Sequence, residues 1–158
     1  ANRAAGHNSN HFSSTSNTFH FTGVQLEIGD VATAFEREDI GTTLAKCQRY
    51  YYRINEGSAY QRFLVGSCQG SSSANGTVPF PVEMRSSPTL ETTGTSSQYA
   101  VYAGDSVSAC GSGPSINSAG TNKNVANLSF PASVTNGQAG ELIANNNTSV
   151  YLAFAAEL

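Results

Sequence analysis

The chain has few charged residues. Only 12% of its 158 residues are Asp, Glu, Lys or Arg, which is about half the usual share. Eight Lys and Arg residues against eleven Asp and Glu residues give a net charge of −3 and leave no basic patch. Because binding of nucleic acid depends largely on cationic contacts to phosphate, this composition argues against a nucleic-acid partner.

Long apolar runs and a basic leader are also missing. A membrane-spanning helix needs about 18 or more consecutive apolar residues, and no window of this sequence approaches that length. We therefore predict no membrane insertion. The opening segment, ANRAAGHNSNHFSSTSNT, suggests a chain that was cut or processed from a longer one. In either case an export signal would no longer be present in this sequence.

Cysteine and histidine are scarce. The three cysteines, Cys47, Cys68 and Cys110, lie far apart and form no C-x-x-C motif. We expect reduced, mostly buried thiols and assembly in a cytoplasm, with one disulfide as the alternative. His7 and His11 are four apart in a segment without helical pattern, which predicts exposed histidines and no metal site. A threefold assembly could still bring copies of one histidine together on its axis.

No recognisable catalytic arrangement occurs. There is no G-x-S-x-G motif, and all three histidines lie in the first twenty residues, which argues against a serine hydrolase. Glu36, Glu38 and Asp39 could supply paired carboxylates for glycoside cleavage. Acidic residues at the start of a helix also complement its dipole, and this is the interpretation we favour. We predict that the protein is not an enzyme and that it has no catalytic residue, metal or cofactor.

Short polar residues are present in excess. Ser, Thr, Asn and Gly make up 64 of the 158 residues, and their side chains favour turns and the solvent faces of strands over helices. Hydrophobic residues still reach 39%, which is enough for a core and argues against disorder. About seven short runs alternate apolar and polar residues between turns. This pattern predicts an all-β fold, an antiparallel, jelly-roll-like β-sandwich with one short α-helix.

Two segments near the start have distinct patterns. Residues 19–28, FHFTGVQLEI, predict a strand with a bulge at Thr22 and Gly23, preceded by an extended arm. Asp39 is a good cap for a helix over residues 40–48, whose apolar residues form one stripe that we expect to lie on a sheet. We divide the chain into residues 1–30, the arm and the end of a preceding β unit or shaft, and residues 31–158, the sandwich domain. Prolines at 79, 81 and 88 predict a sheet edge or bends there.

Tyrosine is the residue type that suggests binding. A tyrosine ring can stack on the apolar face of a sugar while its hydroxyl bonds to the polar rim, and strand alternation leaves about half of the seven tyrosines outside a core. The candidate ligand contacts are Tyr99, Tyr102 and Asp105, with the loops near residues 70–76 and 111–124. The more ordinary interpretation is that exposed rings form cross-strand pairs or subunit contacts.

One long segment carries a resemblance. Residues 23–54, GVQLEIGDVATAFEREDIGTTLAKCQRYYYRI, closely resemble a segment near the C-terminus of tail-fibre and related virion proteins of tailed bacteriophages and prophages. In that family a strand like GVQLE ends one β unit, and a short helix like IGTTLAKCQRYY begins the terminal β domain. VPFPVEMRSSPTLE, residues 78–91, resembles the family's next recurring element. The resemblance covers the first third well and is vague beyond residue 91.

The resemblance implies a homotrimeric β-sandwich on a virion, commonly one that binds host surface polysaccharide. It implies no catalytic residue, and it makes the helix a structural plug that helps to pack neighbouring subunits. The leading hypothesis is a tail-fibre or spike tip domain, whose partners are its own copies, other virion proteins and a host glycan. The alternatives are a capsid decoration or head-fibre protein and, third, the C-terminal module of a polysaccharide depolymerase.

Overall fold

The computed structural model describes residue 18 and residues 20–31, 33–55 and 57–157. By its internal contacts the chain divides into two compact units, Ala1–Glu38 and Asp39–Leu158. The division that we drew from the sequence lies earlier, after residue 30. Most of the predicted arm, with His7 and His11, falls outside the described residues.

The first unit contains no helix and no strand among its described residues. Its polar side chains organise a loop instead. The carboxylate of Glu27 accepts hydrogen bonds from the hydroxyl and from the backbone N–H of Thr33, both at 2.6 Å, and these bonds lower the pKa of Glu27. Gln25 Oε1 accepts from the backbone N–H of Glu36 at 2.9 Å.

The strand predicted over residues 19–28 is therefore not formed across residues 20–28, and Phe19 lies outside the described residues. The alternating pattern is present in the sequence, but no strand among the described residues pairs with this segment. A strand without neighbours is not stable in water. Its apolar side chains are correspondingly exposed.

The second unit is mostly β, with one short helix. In chain order its elements are α1 (Ile40–Gln48), β1 (Tyr51–Ile54), β2 (Arg62–Gln69), β3 (Ser73–Pro79), β4 (Thr89–Thr92), a 3₁₀ turn (Ser96–Gln98), β5 (Tyr99–Ala103), β6 (Ser106–Ala109), β7 (Ser115–Asn117), β8 (Val125–Pro131), β9 (Ala139–Ala144) and β10 (Leu152–Ala155). The strands form a three-stranded sheet, β1-β10-β4, and a seven-stranded sheet, β6-β5-β9-β2-β3-β8-β7. All pairings are antiparallel. The predicted two-sheet antiparallel architecture with one short helix is confirmed.

Both sheets contribute to one hydrophobic core. Along β8 every second residue is buried, and its partners on β3 are small: Phe130 pairs with Ala74, and Leu128 pairs with Gly76. From the other sheet, Phe154 of β10 packs edge-on against Phe80, with ring centroids 5.1 Å apart. The period-two pattern read from the sequence therefore identifies the faces that meet in the core.

The proline-rich segment bends as predicted over residues 80–88, but Pro79 is not at a sheet edge, because β3 lies between β2 and β8 and Pro79 pairs with Val125 of β8. Pro79 is the last residue of β3, and residues 80–88 form no strand. Pro88 stands directly before β4, an edge strand of the three-stranded sheet. Proline lacks the backbone N–H that a central strand needs, so the segment provides the bend between the two sheets.

The helix has the predicted bounds. The side chain of Asp39 accepts a hydrogen bond from the backbone N–H of Thr42 at 3.2 Å, which caps the first turn. However, the helix does not lie on a sheet as predicted: no residue in it is buried, and Ile40 and Leu44 are 84% and 55% exposed. Within one chain the apolar stripe has no covering surface.

The three cysteines differ in their exposure. Cys68 and Cys110 are buried and free, as expected, whereas Cys47 is exposed on the helix. Two buried thiols out of three agree with the expectation of mostly buried thiols, and Cys47 is exposed because its helix does not pack against a sheet. Among the described residues, no helix has the length and apolar character that crossing a membrane requires.

Candidate functional site

Tyr99 belongs to the core and not to the surface. Its side chain is 1% exposed, and its hydroxyl donates a hydrogen bond to the backbone carbonyl of Tyr151 at 2.6 Å. The same hydroxyl accepts a hydrogen bond from the backbone N–H of Thr93 at 3.2 Å. Burial raises the pKa of Tyr99. Because Thr93 follows β4 and Tyr151 precedes β10, this hydroxyl ties the three-stranded sheet to β5 and cannot reach a ligand at the surface.

Tyr102 and Asp105 are brought together on the outer face. Tyr102 lies near the end of β5, and Asp105 lies in the tight turn that follows it. The two turn residues, Gly104 and Asp105, both have positive φ, 55° and 61°. This is the combination that a two-residue hairpin turn requires. The hydroxyl of Tyr102 donates to Asp105 Oδ1 at 3.2 Å, and the hydrogen bond and the charge of Asp105 raise the pKa of Tyr102.

An ion pair next to Tyr102 was not predicted from the sequence. The register places Glu141 of β9 opposite both Tyr102 of β5 and Val65 of β2. The guanidinium of Arg62 contacts the carboxylate of Glu141, and that bond raises the pKa of Arg62. A register shift between Arg62 and Leu64 turns both Phe63 and Leu64 into the core, which leaves Arg62 outside. Only the bulge and the strand order bring these residues together.

A groove of about 440 Å³ lies on the outer face of the seven-stranded sheet, over β2, β3, β8 and β7. Its floor contains Val65, whose side chain is 63% exposed, and Thr77. Asn127 of β8 pairs with Thr77 on one side and with Asn117 of β7 on the other. No side chain lining the groove is charged.

Hydrogen bonds within the protein hold the side of the groove formed by β7 and β8. Asn117 Oδ1 accepts from the backbone N–H of Ala119 at 3.0 Å, and Asn127 Nδ2 donates to the carbonyl of Ala119 at 3.0 Å. The hydroxyl of Thr121 donates to the carbonyl of Asn117 at 2.7 Å and accepts from the backbone N–H of Asn127 at 2.9 Å. The loop after β7 is thereby fastened to β8, which fixes this wall.

The opposite end of the groove is also built from amides. Asn75 Nδ2 donates to Gln69 Oε1 at 2.7 Å. The Oδ1 atom of Asn75 is buried and has no hydrogen-bond partner in the part of the chain that the structure describes. An unsatisfied buried oxygen of this kind costs stability, about 1–3 kcal/mol.

The structure thus separates the sequence-predicted contacts into three groups. Tyr99 is in the core, whereas Tyr102 and Asp105 form a small surface patch. The segments 70–76 and 111–124, predicted as loops, are partly the strands β3 and β7, and they supply Asn75 and Asn117 to the groove. Val65 lies two strands from Tyr102, a separation of about 10 Å, and it was not among the predicted contacts.

A second depression, of about 480 Å³, lies next to β6. It is lined by four serines and by four residues without polar side chains: Ser71, Ser72, Ser108, Ser133, Ala109, Gly111, Pro131 and Ala132. A smaller recess of about 140 Å³ shares Ser108 and Ser133 with it. The nearby Cys110 is a poor nucleophile, because burial raises the pKa of its thiol to about 11.

The outer face of the seven-stranded sheet presents mainly uncharged polar groups at the groove. The groove offers hydroxyl and amide groups, and the carboxylate of Glu141 beside it is engaged by Arg62. Within the described residues, no group of three or more His, Cys, Asp or Glu side chains could hold a metal ion. Comparison with protein-family models, curated proteins and solved structures gives no match to this chain.

Proposed function

We propose that this chain is a non-enzymatic bacteriophage virion protein, a homotrimeric, jelly-roll-like domain at the tip of a tail fibre or spike that binds polysaccharide on the host cell. The observation that carries the proposal is the open, uncharged groove on the outer face of the seven-stranded sheet, 440 Å³ in volume. The resemblance of residues 23–54 to tail-fibre proteins is the reason for proposing that this surface belongs to a bacteriophage virion. The protein would be assembled in the bacterial cytoplasm and act on the virion.

The patch formed by Tyr102 and Asp105 is a further candidate contact. Tyr102 is half-buried, and its ring stands on the same face as Val65. The hydroxyl is oriented by Asp105, as is typical of an aromatic residue that both stacks on and bonds to a sugar.

Assembly into trimers is supported by exposed apolar side chains in residues 20–31. Five of them are at least 78% exposed in the single chain: Phe21, Val24, Leu26, Ile28 and Val31. Full burial of one such side chain stabilises by about 1.5–3 kcal/mol, so covering all five is worth on the order of 10 kcal/mol per chain. Three copies would also multiply the weak affinity of a shallow site through avidity.

The same side chains favour a second candidate, a capsid decoration or head-fibre protein. In that case residues 20–31 would pack on another virion protein, and no host receptor would be bound. Immunogold electron microscopy of virions separates the two locations. Label at fibre or spike tips supports the leading proposal, whereas label spread over the capsid supports the second.

Competition for adsorption tests the binding function directly. Purified chain added to host cells is expected to reduce phage adsorption in a concentration-dependent way, because it occupies the same polysaccharide. Heat-denatured chain serves as the control. Unchanged adsorption at a saturating concentration of folded chain would contradict the proposal.

A further inference from the structure

The side chains of the groove over β2, β3, β8 and β7 indicate the chemical class of its ligand. We infer that it binds an uncharged saccharide, a chain of neutral hexose or N-acetylhexosamine units, with Val65 as its apolar floor and with Thr77, Asn117 and Asn127 as its hydrogen-bonding groups. The inference goes beyond the proposed attachment function by naming the sugar class and the residues. It rests on that function for the expectation that the ligand is a glycan.

Charge is the first argument. None of the side chains lining the groove is ionisable, so no group there could pair with a carboxylate or phosphate. Arg62, three residues before Val65 on β2, is engaged by Glu141. An acidic sugar would therefore lose hydration of its carboxylate without gaining a cationic partner.

The position of the groove argues against a peptide. Peptides commonly bind to sheets by adding a strand at an exposed edge, where backbone groups are unpaired. Of the strands under the groove, β2, β3 and β8 are interior strands paired on both sides, and only β7 lies at an edge of the sheet. A ligand seated over Val65 and Thr77 is away from that edge and is recognised mainly by side chains.

The side chains match a polyhydroxylated ligand. Amides of Asn and Gln and hydroxyls of Ser and Thr both donate and accept hydrogen bonds, as sugar hydroxyls do. Val65, at 63% exposure, offers the C–H face of a sugar an apolar surface next to these groups. The bonds that fix Asn117 and Asn127 reduce the conformational entropy lost on binding. Such a shallow open site predicts weak binding by each single chain.

A glycan array tests this inference. The purified wild-type chain and the variants Val65→Arg and Thr77→Arg are applied to neutral oligosaccharides and to matched uronate-containing ones. Val107→Arg is the matched control, because Val107 is also an exposed apolar residue on the outer face but lies on the edge strand β6. We expect neutral glycans to bind the wild-type chain and Val107→Arg alike, and both groove variants to lose about tenfold or more in affinity.

A second measurement does not depend on the folding of a variant. The best neutral hit is titrated into isotope-labelled wild-type protein, and backbone amide shifts are followed by NMR. Shifts at Thr77, Asn117 and Asn127, with none at Val107, support the inference. Preference for uronate-containing glycans, equal binding to folded Val65→Arg, or shifts confined to another region each overturn it.

Failure of this inference can be told apart from failure of the attachment function. If the chain competes with phage adsorption but its glycan contacts lie outside the groove, attachment stands and the groove assignment is wrong. If neutral glycans bind in the groove but the chain does not compete with adsorption, the groove assignment stands and the virion role is wrong. A chain that binds no saccharide on the array overturns the inference, whatever its effect on adsorption.

Discussion

Tyr99 and Tyr102 lie three residues apart in β5 but point to opposite faces of the sheet. The ring of Tyr99 packs beside Phe63 in the core, with centroids 6.0 Å apart, and its hydroxyl serves two backbone groups. The hydroxyl of Tyr102 donates a hydrogen bond to the exposed Asp105. The same side chain therefore has a packing role at one position and remains available for binding at the other.

Removing each hydroxyl in turn distinguishes these roles. Tyr99→Phe leaves the carbonyl of Tyr151 and the N–H of Thr93 without their partner, and we expect the free energy of unfolding to fall by about 1–3 kcal/mol. Tyr102→Phe, the control, removes a surface hydroxyl and should change it by less than about 0.5 kcal/mol. Urea unfolding followed by circular dichroism measures both. Equal effects of the two changes would contradict the role assigned to Tyr99.

Cys110 gives the unfolding free energy a dependence on alkaline pH. Burial raises the pKa of its thiol from an ordinary value of 9.0 to about 11. Between these values the unfolded chain loses the proton while the folded chain keeps it, so unfolding becomes more favourable as pH rises. The contribution of Cys110 to the free energy of unfolding is fully present below about pH 9 and declines up to about pH 11. The raised pKa of Tyr99 adds to the decline above pH 10.

We therefore predict that the urea midpoint is constant from pH 7 to 8.5 and decreases from about pH 9 to 11, and that Cys110→Ala makes this decrease shallower. The comparison uses the slope with pH and not the absolute stability, because the substitution also removes buried atoms. Cys47→Ala, at an exposed position, is the control and should keep the wild-type slope. An unchanged slope in Cys110→Ala would rule out this explanation.

At the scale of single elements, β2 and β3 approach most closely where two glycines are paired. Gly66 pairs with Gly76, and a Cβ atom at Gly66 would lie 2.0 Å from the carbonyl oxygen of Asn75. At Gly76 it would lie 2.4 Å from Leu64 Cδ1. The glycines allow two strands and a core leucine to pack directly beneath the groove.

Gly66→Ala should therefore be strongly destabilising, because the atoms it meets belong to the backbone of β3 and cannot turn away. We expect a loss of about 2 kcal/mol or more in unfolding free energy. Gly113→Ala is the control, since an added Cβ there meets nothing within 4 Å. Thermal unfolding of both variants measures the difference. Similar melting temperatures for the two variants would show that β2 and β3 can separate at low cost.

Local signals explain which elements could be predicted. The helix over residues 40–48 was predicted with its correct bounds because its cap, Asp39, and its apolar spacing lie within ten residues. The strand over residues 19–28 was predicted wrongly because its alternation says only which side chains share a face. Whether a strand forms depends on a neighbouring strand, and the part of the chain that the structure describes provides none.

At the scale of the whole molecule, the sandwich could be predicted and the groove could not. Apolar residues alternate along β8, and burial alternates with them. Burial along β5 does not alternate, because Ala100 is buried as well, and Tyr99, predicted as a ligand contact, lies in the core. The groove instead requires Val65, Thr77, Asn127 and Asn117 to lie on neighbouring strands. That strand order follows from tertiary packing of segments distant in sequence, which no local pattern contains. Arg62 and Glu141 illustrate the same limit.

The exposed apolar side chains of residues 20–31 lead to a prediction about assembly. Leu26 and Ile28 are 98% and 107% exposed in one chain, so the double substitution Leu26→Asp and Ile28→Asp removes no contact of the folded single chain. If these side chains are buried between copies, the substitution forfeits about 3–6 kcal/mol per chain and places charges in an apolar interface. We therefore expect the wild-type chain to have three times the 16.5 kDa mass of one chain and the variant to have the mass of one.

Light scattering coupled to size exclusion measures these masses, and circular dichroism shows whether the variant keeps its β structure. Val107→Asp is the matched control, because Val107 is an exposed apolar residue of the other compact unit, and it should remain trimeric. A wild-type chain that is monomeric at micromolar concentration would contradict the prediction, as would a variant that stays trimeric. If only the double variant loses the trimer, residues 20–31, which form no strand in one chain, take part in the contacts between copies.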